Sequence, residues 1–186
     1  KRDFDQIFLN DAGAVTVDGF RREVERAREV FRGGNLEQAN DILNDLRWRS
    51  AFPNVDRWKA FAESLNRARG LGDRRQHHDP DVVESAYTEL LVQLAALPER
   101  DIATLAMEVL ADFEPVDRRT VRDESPAVID GRQAWQIETW DRLNHIQPMR
   151  YLFVLDGGRF LVIRTGLGQL PDIEPTFEAI VAALRI

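Results

Sequence analysis

At Pro115 the spacing of apolar residues changes from about 3.6 to 2, and few folds accommodate a single switch of that kind. Before Pro115 the pattern is that of helices with one buried stripe, and after it that of half-buried strands. Helices followed by a run of strands, rather than alternating with them, predict an α+β protein with an antiparallel sheet. The expected architecture is an N-terminal bundle of about five helices packed on a small sheet that carries a C-terminal helix. Its parts are an N-terminal arm over 1–17, a helical region over 18–114 and a sheet with its helix over 115–186, forming one compact unit.

The helices can be delimited from their caps and stripes. Phe20, Val24, Ala27 and Phe31 share a face, and Gly33-Gly34 stops that helix. Asn35 caps the next, with Gln38 completing a capping-box-like pair ahead of Leu36, Ala39, Ile42, Leu43 and Leu46. The two form an antiparallel hairpin. Pro53-Asn54 opens a third helix with Trp58, Phe61, Ala62, Leu65 and Ala68 inward. Asp79-Pro80 starts a fourth with Val82, Val83, Ala86, Leu90, Leu91 and Leu94 inward, and a fifth follows Pro98 with Ile102, Leu105, Val109, Leu110 and Phe113 inward.

Beyond Pro115, Trp135, Ile137 and Thr139 alternate with Gln136, Glu138 and Trp140, which predicts a strand over 134–140 with the two indoles on opposite faces. Residues 150–155 and 159–164 flank Asp156-Gly157-Gly158 and predict a hairpin, because those glycines tolerate the positive φ of a two-residue turn. Residues 116–122 and 127–129 are further strand candidates. Pro175 opens the final helix, with Phe177, Ile180, Val181 and Leu184 inward.

Composition excludes several functions. The 186 residues carry 25 Lys+Arg against 32 Asp+Glu, a net charge of −7 that disfavours a nucleic-acid backbone as partner. With no cysteine there is no disulfide, thiolate nucleophile or Cys-based zinc site. No apolar run is long enough to span a bilayer. Only Lys1 and Lys59 are lysines, an arginine bias typical of GC-rich bacterial genomes. The chain begins at Lys1 rather than methionine, and an upstream segment that would decide between a cytoplasmic and an exported protein is expected.

Ala27, Phe31, Gly34, Ala39, Leu43 and Leu46, followed by Pro53, resemble one tetratricopeptide-type helical hairpin over residues 20–53, and the resemblance implies protein binding. Ile129-Asp130-Gly131, the strand over 134–140, the hairpin over 151–164 and the helix from Phe177 to Ile186 together resemble the C-terminal part of a PsbP-like domain over 129–186. That resemblance implies a sheet with a final helix packed on it and a non-catalytic accessory or envelope lipoprotein, and it carries over no functional residue.

No GxGxxG, GxxxxGK[ST], HExxH or GxSxG motif occurs, and Gly166-Leu167-Gly168 reads as turn chemistry. His77, His78 and Asp79 are clustered potential metal ligands, with His145 as the remaining histidine, but they read as a solvated loop with Asp79 as a helix cap. Glu138 and Asp141 are the carboxylates best placed for acid–base work if a cleft adjoins them. Arg74, Arg75, Arg118, Arg119 and Arg122 read as solvated charges. Trp135, Trp140, Arg142 and Tyr151 form the candidate partner-binding set, since an indole facing away from the core beside Arg142 and Tyr151 would anchor a partner. The expected function is therefore a non-catalytic protein-interaction, regulatory or accessory domain with no cofactor and no metal. The alternatives are a small-ligand-binding protein or enzyme with its site between helices and sheet, and an exported lipoprotein-type accessory module.

Overall fold

A computed structural model of the chain describes residues 7–48, 56–71, 79–114, 116, 118–141, 148–166 and 173–183. In order they form β1 (Ile7–Ala14), α1 (Val17–Arg32), α2 (Leu36–Trp48), α3 (Asp56–Leu71), α4 (Pro80–Ala95), α5 (Ile102–Phe113), β2 (Arg119–Ile129), β3 (Arg132–Asp141), β4 (Pro148–Asp156), β5 (Arg159–Gly166) and α6 (Ile173–Ala183). After the edge strand β1, five helices, four further strands of one antiparallel sheet and a final helix make this the α+β class, as the switch of period predicts. Among the described residues no helix is long and apolar enough to cross a membrane.

The elements divide into two compact units, Ala14–Glu99 and Lys1–Gly13 with Arg100–Ile186. This grouping places two elements differently from the sequence expectation. The arm expected over 1–17 contains the edge strand β1, and α5 belongs with the sheet, so the division falls after Glu99 rather than at Pro115. The physical reason is that α5 turns its buried side, Leu105, Ala106, Val109 and Leu110, to the sheet unit and packs on β3.

In the helical unit α1 packs on α2 and α4, and α3 on α2 and α4, so the four helices close into a ring around one core. Phe20, Val24, Ala27, Leu43, Leu46, Phe61, Leu65, Tyr87, Leu90 and Leu94 are buried in it. Phe20 meets Phe61 with ring centres 5.9 Å apart, and Phe31 stacks on Tyr87 at the same distance. Polar clamps tie the rim. Glu84 of α4 accepts from Arg28 Nε at 2.6 Å and from Arg32 Nη2 at 2.5 Å, while Glu89 accepts from Ser64 and Arg67 of α3. Val82, expected inward on α4, is 50% exposed, and Tyr87 takes an inward place that the stripe did not include.

Caps are as the sequence implies. Asp79 accepts from Asp81 N, and Asn35 and Gln38 bond reciprocally through Asn35 Oδ1 to Gln38 N and Asn35 Nδ2 to Gln38 Oε1. Gly34, at φ +87°, closes α1, where Asn35 N donates to Val30 O and Gly34 N to Phe31 O. That is the paired hydrogen-bond pattern of a helix ended by a left-handed residue.

The sheet runs β1-β5-β4-β3-β2. Asp156 pairs with Arg159 across Gly157 and Gly158, both at positive φ, confirming the predicted hairpin. A second two-residue turn, Asp130-Gly131 with both φ positive, joins β2 and β3, and residues 119–122 of the candidate strand over 116–122 are one strand with the candidate over 127–129, while Val116 and Arg118 lie in turns ahead of it. In β4 the four consecutive residues Tyr151, Leu152, Phe153 and Val154 are all buried, which a central strand covered on both faces requires. One face, with Ala134, Leu152, Val154 and Ile163, is covered by Phe177 and Val181 of α6. On the other, Phe113 of α5 lies against Tyr151, which stacks on Phe153. Pro175 sits in the first turn of α6 instead of opening it.

Candidate functional site

Alternation along β3 sorts the candidate residues onto the two faces of the sheet. Trp135, Ile137 and Thr139 stand opposite Phe153, Tyr151 and Met149 on the α5 side, and Glu138 stands opposite Arg150 on the α6 side. On the α6 side Arg150 is buried, with its guanidinium over the Phe177 ring. It bonds Glu178 at 3.0 Å and lies 3.7 Å from Glu138, whose other oxygen accepts from Arg122 at 3.2 Å. Arg122 is the extra residue of a β-bulge between Val121 and Asp123, and its guanidinium also covers Trp140 at 5.3 Å. Glu138 thus accepts a hydrogen bond from one guanidinium and lies at ion-pair distance from a second, an arrangement that ties a sheet face together rather than presenting an acid to a substrate.

On the α5 side the Tyr151 hydroxyl donates to Glu114 Oε1 at 2.6 Å, and Arg119 Nη1 donates to the Glu114 main-chain oxygen at 2.8 Å. Burial, reinforced by the Glu114 carboxyl, pushes the Tyr151 phenol well above its ordinary range, and burial lowers the Arg119 guanidinium. Arg119 is therefore not the solvated charge expected of it: its guanidinium holds the end of α5 to the start of β2. The Arg164 guanidinium covers Phe113 at 5.3 Å from the ring centre. Trp135 Nε1 and Thr139 Oγ1 are buried on this side without a hydrogen-bond partner among the described residues.

Where α5 and β2 diverge lies a groove of about 550 Å³, open to solvent and lined by Ala103, Thr104, Met107, Glu108, Ala111, Val116, Arg119 and Glu124. Its floor is a second strip of α5, since Ala103, Met107 and Ala111 recur every four residues and so share one side of the helix over about 12 Å. Val116 at its end is 66% exposed. Burial raises the Glu108 carboxyl above its ordinary range against the opposing pull of its ion-pair partner Arg100, as an apolar wall would. Glu124 of β2 is exposed, and its carboxylate has no partner among the described residues. Pro126 and Val128 follow it on the same side of β2, both exposed, with Pro126 opposite the half-buried Trp135.

The structure brings together only part of the predicted partner-binding set. Trp135 and Tyr151 share the α5 side, Trp140 lies on the α6 side, and Arg142 falls outside the described residues. Tyr151 is 1% exposed, so its ring serves the core and is not offered to a partner. Trp135 and Trp140 are each half-buried. His77, His78, His145, Arg74 and Arg75 also fall outside the described residues, among which no group of three potential ligands could hold a metal. Sequence reasoning missed the groove because it assigned α5 one inward stripe. The available signal was Ala103, Met107 and Ala111, a second apolar row on a helix with few polar positions.

Compared with family models, curated proteins and solved structures, the chain matches none.

Proposed function

We propose that the chain is a non-catalytic interaction or accessory domain that receives a segment of another protein in the groove between α5 and β2. The observation carrying this reading is the groove itself: a solvent-open, mostly apolar channel of about 550 Å³ floored by Ala103, Met107 and Ala111. Exposed apolar surface gathered into a concave strip is what protein partners cover. The ionisable clusters on both faces of the sheet bond internally, so they support the fold instead of competing for this reading.

The test is capture from the organism that makes the protein, using the wild type, Met107→Glu and Ala111→Arg as baits of verified circular dichroism. A partner held by the wild type and lost by both variants supports the reading. A partner set unchanged by both variants refutes it.

A further inference from the structure

Resting on that reading, we infer that the groove's occupant is a basic amphipathic helix whose apolar ridge lies on Ala103, Met107 and Ala111 and whose lysine or arginine pairs with Glu124. Three features of the groove carry this. The floor is a helix face whose row Ala103, Met107 and Ala111 forms a ridge, small at the ends and large in the middle, beside which the ridge of a second helix can seat. The small side chains of Ala103 and Ala111 let that helix approach closely.

The edge of β2 is unsuited to an added strand. Arg122 bulges it between Val121 and Asp123, and Pro126, exposed on the same strand, has no N–H to offer. An extended peptide would meet an interrupted ladder where a helix meets a continuous floor.

Charge decides the flanks. At the groove buried Arg119 bonds the Glu114 main-chain oxygen and has the Glu114 carboxylate as its nearby counter-charge, and Glu108 is matched by Arg100, which leaves the Glu124 carboxylate as the uncompensated charge of the lining. The −7 charge of the whole chain steers cationic segments toward it and opposes a second copy of itself.

The experiment pans a displayed library of 14-residue helical peptides against the full chain, with ridge positions drawn from apolar residues and flanks from Lys, Ser and Glu. The wild type should enrich bulky ridges with Lys flanks, and Met107→Glu should enrich nothing. Glu124→Lys should turn the flanks toward Glu and weaken the Lys-flanked winners by about three- to tenfold, the range of an exposed pair converted to repulsion. Glu25→Lys, on an exposed site of α1 with the same change in net charge, should leave both unchanged. No enrichment by the wild type, flanks unmoved by Glu124→Lys, or an equal shift from Glu25→Lys would overturn the inference. If the flanks fail to respond while Met107→Glu and Ala111→Arg still lose the captured partner, the interaction reading stands and the basic helix falls.

Discussion

The two tyrosines, Tyr87 and Tyr151, make stability at alkaline pH an unusually clean observable. The chain has no cysteine and two lysines, so between about pH 9.5 and 11.5 the tyrosines are the main groups whose ionisation differs between folded and unfolded chain. Tyr87 is 2% and Tyr151 1% exposed. Burial pushes the Tyr87 phenol up to about 12, helped by the nearby Glu84 charge, and raises that of Tyr151 further with help from Glu114. A phenol whose pKa is raised on folding contributes stability that is present in full below the unfolded value near 10. That stability is lost as the pH climbs toward the folded value, because the unfolded chain ionises first. At pH 11 the loss has an upper bound of about 1.4 kcal/mol per tyrosine. Tyr151→Phe keeps the ring between Phe113 and Phe153 and removes only the hydroxyl, so at pH 7 it should cost about 1 kcal/mol. A hydrogen bond of this kind is worth about 1–3 kcal/mol, and water recovers part of it at the half-buried Glu114. Urea titrations followed by tryptophan fluorescence at pH 7, 9.5 and 11 should show the wild type losing most stability with pH, each single Tyr→Phe variant less, and the double variant least. Equal slopes in all four proteins would refute the burial and bonding assigned to both phenols.

Leu90→Ala, at a site with no exposure in the middle of the four-helix core, should lower unfolding free energy by about 2–5 kcal/mol in denaturant titrations. Gly34→Ala places a side chain at φ +87° and should destabilise by about 1 kcal/mol, whereas Gly33→Ala, at φ −73° with its new Cβ 3.4 Å from Val30 O, should be much milder. Thermal melts of the pair test the end of α1. Hydrogen bonds from Arg28 and Arg32 hold the Glu84 carboxyl below its ordinary range, so its contribution is present above about pH 4.5 and disappears as the pH falls. Glu84→Gln should therefore flatten the acid side of the stability profile while costing less than about 1 kcal/mol at pH 7.

Local chemistry made much of the fold legible. Asn35 with Gln38, Asp79-Pro80 and Gly157-Gly158 specify their caps and turn through groups within a few residues, and each is found as read. Asp130-Gly131 carried the same kind of turn signal, but its flanking strand is broken by Pro126 and a bulge, so the alternation around it was obscured. The partner-binding set was only partly legible. Alternation placed Trp135 and Trp140 on opposite faces correctly, yet it could not say that Tyr151 would be covered, because that depends on where α5 packs.

From residue spacing alone came the class, the end of α1, the starts of α2 and α4, the central hairpin and the two faces of β3, consequences of periods of 3.6 and 2, of local capping groups and of glycine's access to positive φ. Tertiary structure decided which elements share a core. α5 reads from its sequence as one more amphipathic helix, but the sheet needed a second cover over Tyr151 and Phe153, and α5 supplies it. Packing one side of α5 there leaves Ala103, Met107 and Ala111 facing water beside β2. The groove thus arises from the docking of two segments, which no local pattern in either one encodes.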